Sequence, residues 1–366
     1  MLNNSNSPDH KNSIANRREK GFTIVEVIIA MVVFLIVTSA VYGVLQIAQR
    51  SRTTVSQQVQ LTKSVRLALN LLGRDTFNAG FGYPLKDSVN LTDNRMATLL
   101  GVPADTNSTQ DTIPPVIAGN NLTLNTFAVP NTTTDQVTFI FKDSTFNLVG
   151  NIGPPDDRVS LPLNISAISS GGGTNQVTIL GGNAACSVKD VYVITGRNGS
   201  STLGVATDNP DANTVVFANN AADVLNFNQN GDTTILTALT TPATMQRVSL
   251  VTYYVTAAGI LTRRQFANNA LTTRAQNWID SPLVYGVTDF QIQYILADGT
   301  LTDNPSQGPD AIAGTADDDQ TKLSTVRQIR FTINAQTVDL TAAGQPETIT
   351  MTSTFATRNL GYNNPN

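Results

Sequence analysis

Two groups of residues in this chain could carry chemistry. The first is centred on Glu26, the only charged residue between Phe22 and Ala48 in an otherwise almost wholly apolar run. A carboxylate inside a lipid-bound helix is costly, so it calls for a partner and usually marks function. Glu26 lies one helical turn after Phe22. A cut after Gly21 would turn the Phe22 nitrogen into an amine, a cation near that carboxylate, and the first turn of a helix itself favours an anion. The second group is Asp298, Asp303, Asp310, Asp317, Asp318 and Asp319, spread through a Gly-containing stretch, residues 298–319. These carboxylates could converge on a hard cation such as calcium, which takes roughly six to eight oxygens from Asp, Asn and backbone carbonyls. Their spacing is not that of an EF-hand loop, and a solvated acidic turn accounts for the same residues. Asp156 and Asp157 are a poorer candidate, with no further carboxylate nearby in sequence.

What is missing excludes much else. The only His is His10, and it precedes Gly21. Past that point a Ser-His-Asp triad, a Cys-His pair and His-ligated zinc are all unavailable. Cys186 is alone, so no intrachain disulfide can form, and a buried small hydrophobe is the expected role. Glu occurs only as Glu19, Glu26 and Glu347, and nothing points to an Asp pair at work in hydrolysis. No enzyme is expected, and no cofactor is required.

The elements that must position Glu26 are set by the same run. Phe22 to Ala48 is long enough to cross a hydrocarbon core, which needs roughly 20 helical residues. Leu61, Val65, Ala68 and Leu72 then continue as one apolar stripe of an amphipathic helix, to be buried against the remainder of the chain. No Pro interrupts residues 22–83. The helix should stop within Asn78-Ala79-Gly80-Phe81-Gly82-Tyr83-Pro84, where Gly supplies a cap and Pro bars continuation. Such a helix is on the order of 80 Å long at 1.5 Å per residue.

Beyond it the chain reads as β-rich. Charged residues are 14%, well below the roughly 25% of an average soluble protein, while Asn and Thr are abundant. Residues 84–135 look loop-like. Strands are expected at Val137–Phe141, Gln176–Leu180, Val188–Ile194 and Thr214–Phe217. Arg247–Val255 and Ile260–Phe266 form a hairpin around Ala257-Ala258-Gly259. Leu283–Leu296 reads as one long strand bulged near Gly286, with further strands at Val326–Asn334 and Glu347–Thr357. The fold class is therefore α+β: a long N-terminal helix packed on an antiparallel sheet, with an enlarged β-rich head over 79–366.

Charge is lopsided. Residues 1–74 hold nine Lys or Arg against three acids, and residues 75–366 hold fourteen against twenty-four. The basic residues before Phe22 keep that end on the cytoplasmic side and place the acidic part outside. A net negative head gives no reason to expect nucleic-acid binding.

Arg17-Arg18-Glu19-Lys20-Gly21, then Phe22 and an apolar run with Glu26 fifth after Gly21, resembles the processing site of a type IV prepilin or pseudopilin. The resemblance implies a leader over 1–21, cut by a prepilin peptidase between Gly21 and Phe22, and N-methylation of Phe22. It also implies a helix over 22–78 with its membrane part at 22–48, and pairing of Glu26 with the Phe22 amine of a neighbouring subunit. Two plainer readings are a secretory signal peptide, with its apolar core at Ile24–Val37 and small residues Thr38-Ser39-Ala40 for cleavage, and a simple single-span anchor. Both leave Glu26 unexplained. Leu71-Leu72-Gly73-Arg74-Asp75 running into Ala79-Gly80-Phe81, with Tyr254, Leu261-Thr262-Arg263, Phe290, Tyr294, Ile329-Arg330 and Arg358-Asn359 downstream, is similar to the PilW-type minor pilins. The implied partners are other minor and major pilins or pseudopilins and the inner-membrane assembly platform. The implied location is the inner membrane, single-pass with the head outside the cytoplasm, and then the pilus or pseudopilus. In that frame residues 247–358 form the core sheet, 84–240 read as an insertion, and the expected role is a minor type IV pilin at the tip or in priming. The alternatives are a type II secretion pseudopilin and, from another class, a membrane-anchored adhesin or hydrolase with a lookalike N-terminus.

Overall fold

The computed structural model describes residues 21–84, 89–91, 111–153, 156–171, 174–223, 225–228, 235–266, 278–305, 325–337 and 345–360. Helix α1 spans Ile24–Asn78. It ends where the sequence supplies a stop: Gly80 takes φ +78°, and its N–H turns away to the carbonyl of Ile140 at 2.9 Å. The chain divides into two compact units, one ending at Val55 and the other beginning at Ser56.

In the first unit every helical residue but the half-buried Thr54 is exposed, including Phe34, Leu35 and Ile36. It is long and apolar enough to cross a membrane. The Thr38 hydroxyl donates to the carbonyl of Phe34 at 2.7 Å, which satisfies a polar group within the apolar stretch.

The second unit is antiparallel β. Short strands β1 (Asn90–Leu91) and β2 (Asp111–Thr112) pair with each other. Then come β3 (Val116–Asn125), β4 (Thr132–Lys142), β5 (Leu148–Val149), β6 (Val159–Ser160), β7 (Leu163–Gly171), β8 (Thr174–Ile179), β9 (Val191–Thr195), β10 (Ser201–Val205) and β11 (Thr214–Ala218). A one-turn helix α2 (Ile235–Ala238) precedes β12 (Ala243–Val255), β13 (Ile260–Phe266), β14 (Trp278–Tyr285), β15 (Val287–Leu296), β16 (Leu301–Thr302), β17 (Val326–Gln336) and β18 (Thr348–Ala356).

Strand β12 is the hub. Its first residues pair with β7 on one side and β9 on the other, and its last residues pair with β4 and β13. The resulting ten-stranded sheet is joined by a four-stranded one in the order β16-β15-β17-β18. At the point where β12 changes neighbours sits Arg247, 5% exposed. Its guanidinium donates to Asp143 Oδ2 at 2.9 Å and to Asp190 Oδ2 at 3.0 Å, and lies over the Phe146 ring.

The predicted helix stripe is the seat of α1. Val65, Ala68 and Leu72 are fully buried and Leu61 packs beside them, in one cluster with Phe139 of β4, Tyr253 of β12, Phe290 of β15 and Phe331 of β17. That cluster brings the helix and both sheets together. Gly73 permits the closest approach, because a Cβ there would collide with the Phe355 ring.

Three sequence expectations are corrected. Leu283–Leu296 is not one bulged strand: the chain breaks at Gly286, so β14 belongs to the ten-stranded sheet and β15 to the four-stranded one. Gly286 has φ +76°, and a Cβ would strike the carbonyl oxygen of Gln336. Residues 84–135 are not all loop, because they contain β3 and the start of β4. The strand expected from Val188 begins at Val191, after Lys189 takes φ +74°.

Candidate processing and assembly site

Helix α1 opens on a reciprocal cap. The Thr23 N–H donates to Glu26 Oε2 at 3.0 Å and the Thr23 hydroxyl to the same oxygen at 3.1 Å. The Glu26 N–H in turn donates to the Thr23 hydroxyl at 3.3 Å. This is a capping box, Thr at the N-cap and Glu three residues on, and it satisfies two donors that the first turn leaves orphaned. The signal Thr23-Ile24-Val25-Glu26 stands in the sequence ahead of the apolar run, but reading Glu26 only as a charge in lipid passes over it. One carboxylate oxygen is thus engaged within the chain, while Oε1 has no partner among the described residues.

Upstream, Gly21 and Phe22 are outside the helix, and Phe22 is 88% exposed. A Cβ on Gly21 would meet nothing within 4 Å, and Gly21 is not among the glycines with positive φ. Neither space nor backbone conformation in this fold calls for glycine at this position.

A second charged constellation, not anticipated from sequence, lies at the other end of α1. Asp75 is 1% exposed. Its Oδ2 accepts from the Tyr253 hydroxyl at 2.7 Å and from Arg263 Nε at 2.9 Å, and its Oδ1 from Arg74 Nε at 3.1 Å. Burial pushes the Tyr253 phenol above its ordinary range, and the neighbouring Asp75 charge adds to the shift. Helix, β12 and β13 are held by one buried carboxylate. Asp75 and Arg263 are far apart in sequence, so no local pattern announces the pair.

Of the acidic group, Asp298 and Asp303 are seen, while Asp310, Asp317, Asp318 and Asp319 lie outside the described residues. Asp298 Oδ1 accepts the Thr300 N–H at 2.9 Å, and hydrogen bonds from Thr300 hold this carboxyl below its usual range. No three potential metal ligands of the His, Cys, Asp and Glu type converge among the described residues. Asp156 is paired with Arg158 at 2.7 Å, and those hydrogen bonds lower its carboxyl to about 2. Cys186 is buried, and burial pushes its thiol up to about 12, so it is an unreactive core residue.

Residues 16–42 match the family model of the prokaryotic N-terminal methylation motif. No curated protein and no solved structure matches the chain. The matched stretch contains Gly21, Phe22, the capping box and the start of the exposed apolar helix. The motif implies processing by prepilin peptidase and membrane association, and with the membrane-capable helix it supports a type IV pilin-like or pseudopilin-like protein.

Proposed function

We propose that the chain is a minor type IV pilin, of PilW type, that enters the filament at or near its tip or in the priming of assembly. Cleavage between Gly21 and Phe22 frees an amine one turn from Glu26, and the unpartnered Oε1 of that residue is the oxygen that receives a neighbouring subunit's Phe22 amine. The role is structural, without catalysis.

The observation that carries the minor-subunit reading is the size of the head: a ten-stranded and a four-stranded sheet come after the helix. Packed helices lie roughly 8–10 Å apart. A compact domain of about 290 residues has a radius of gyration near ~19 Å, so its diameter is several times that spacing. Every subunit of a tight helical array would have to fit such a head against its neighbours, whereas at the tip one side is free. The test is stoichiometry together with the mature N-terminus. Quantitative mass spectrometry of sheared filaments should find this chain far below the main pilin, beginning at Phe22, with labelling at filament ends. Abundance equal to the main pilin, or uniform labelling along the shaft, would overturn the assignment.

A further inference from the structure

The hairpin of β5 and β6 carries apolar side chains that the described part of the fold does not cover. Leu148, Val149, Ile152, Val159 and Leu161 are between 38% and 77% exposed. The two strands form a sheet of their own and, among the described residues, pair with no other strand. Val149 stands opposite Val159, so the two share one face of the ribbon. Leu161, two residues on from Val159, belongs to the same face. Leu148 is on the other face, across from Ser160. Ile152 follows in the connection between the strands. A lone two-stranded ribbon is marginal in water, and a group of uncovered apolar side chains marks an interaction surface.

The ribbon is fixed at its foot and its charges are tied within it. At the foot Lys142 Nζ donates to Ser160 O at 2.6 Å, the Ser160 hydroxyl to Phe146 O at 2.6 Å, and Asn147 Nδ2 to Leu161 O at 3.0 Å. At the turn Arg158 Nη2 donates to Asp156 Oδ2 at 2.7 Å and Arg158 Nε to Asp156 Oδ1 at 3.0 Å. Asp157 Oδ1 accepts the Asn151 N–H at 2.7 Å. From Asn147 to Pro162 there is one base against two acids. The surface that covers this ribbon is therefore apolar and carries no net negative charge. A protein docked flat against the ribbon would cover Val149, Val159 and Leu161 and leave Leu148 in water. A fluid acyl layer covers both faces and Ile152 together, and its headgroup level takes the Asp156–Arg158 pair.

We propose that the β5–β6 ribbon enters a zwitterionic bilayer, to the interfacial depth of about 5–10 Å at which amphipathic elements lie, and that this bilayer is not the one that holds α1. The foot of the ribbon selects the second membrane. The Lys142 N–H donates to Phe81 O at 2.7 Å, just past the end of α1 at Asn78, whereas the apolar run opens that helix. The inference uses nothing from the processing site and does not depend on the pilin reading.

The test uses the full-length chain in nanodiscs, with Ile152→Cys carrying an environment-sensitive fluorophore. Cys186 is buried, so the label goes to the new thiol. On addition of protein-free phosphatidylcholine vesicles that contain nitroxide-labelled lipid, the emission should shift to the blue and be quenched. The same label at Leu301→Cys, exposed but on β16, should do neither. Leu148→Asn and Val159→Asn, one on each face, should each lower co-sedimentation with the vesicles about tenfold, since each withdraws one aliphatic side chain from the acyl layer. Both side chains are exposed, so the melting temperature should not change. Phosphatidylglycerol in the vesicles should not strengthen binding. Absence of the shift and quenching, loss in only one of the two Asn variants, binding that requires anionic lipid, or quenching only when the nitroxide is in the nanodisc's own lipid would each overturn the proposal. A mature N-terminus other than Phe22 would sink the pilin reading and leave this result standing.

Discussion

Replacing Asp75 by Ala removes the acceptor that Tyr253 and Arg263 share beneath the end of α1. The Arg74 contact adds little, since that side chain is 57% exposed. Arg263 matters more: its side chain is 15% exposed and keeps Gln265 Oε1, at 3.1 Å, and the Tyr253 hydroxyl, at 3.2 Å, as alternative acceptors. Removing one partner of a buried pair costs about 3–5 kcal/mol, and the remaining access of Arg263 to water and Gln265 puts this case near the lower end, about 3 kcal/mol. Asp75→Asn keeps an acceptor but loses the charge, and should cost about 2 kcal/mol. Tyr253→Phe gives up a single hydroxyl and should cost about 1 kcal/mol. The double replacement Asp75→Leu with Arg263→Met leaves no orphaned charge and should lie well above the sum of its parts, with a coupling of about 2 kcal/mol or more. Trp278, the single tryptophan, packs against Phe266 and under Arg264 in the adjoining strands and reports on this part of the sheet. Urea unfolding of the full-length protein in detergent, followed by its fluorescence, should show the Asp75→Ala midpoint lowered by about 1 M for a slope near ~3 kcal/mol/M. A displacement under about 0.3 M, which that slope equates to less than about 1 kcal/mol, or strict additivity in the double variant, would refute the reasoning.

Gly21→Leu should leave folding unchanged, because nothing surrounds a side chain there, yet accumulate uncut precursor; immunoblotting of membranes distinguishes the two forms, and normal processing would remove Gly21 from the site. Glu26→Val should retain membrane residence and processing, since Val is cheaper in lipid by roughly 2–3 kcal/mol at mid-membrane and less near the interface, but lower incorporation into filaments; equal incorporation in sheared preparations would end the pairing role. Acidification from pH 7 to 5 should raise the melting temperature. Burial lifts the carboxyls of Asp135, which also faces Asp303 and Asp289, and of Asp190, beside Arg247, to about 6 each. The folded state therefore holds these protons more tightly than the unfolded chain, so stability is gained as pH falls through about 6 toward 4, by less than about 3 kcal/mol per group. A melting temperature that drops between pH 7 and 5 would contradict this.

The helix and its seat were legible because their signals are local. A 3.6-residue stripe at Leu61, Val65, Ala68 and Leu72, and the Gly-Pro stop after Asn78, need no tertiary knowledge. The hairpin around Gly259 was legible for the same reason. The passage from β14 to β15 was not, because both flanks of Gly286 are apolar and only the carbonyl of Gln336, fifty residues on, shows why the chain must break there. β7 and β10 carry no clear local signal, because Asn, Ser and Gly interrupt their apolar alternation and their pairing with β12 and β9 is set by the tertiary fold. At the candidate site, the motif around Gly21 and Glu26 was plain in one dimension. The buried tie of Asp75 to Arg263 exists only once the sheet has folded beneath the helix.

Lys142 and Val248 are pairing partners on β4 and β12. The chain thus leaves one strand and re-enters its neighbour at adjacent points, about 5 Å apart, having built β5 through β11 and the first part of β12 in between. The mouth of that excursion is clasped by Asp143 and Arg247, through their main chains at 3.0 Å as well as their side chains. Much of it packs around its own nucleus of Phe146, Tyr192 and Phe217. By its topology this stretch is a cassette, entered and left at one place. Val191, Val193, Leu203 and Phe227 nevertheless pack on Ile117, Ile140 and Leu250 outside it, so a version closed by a tight turn would need polar residues at those three positions, while the helix keeps its seat in the separate cluster around Phe139 and Phe331.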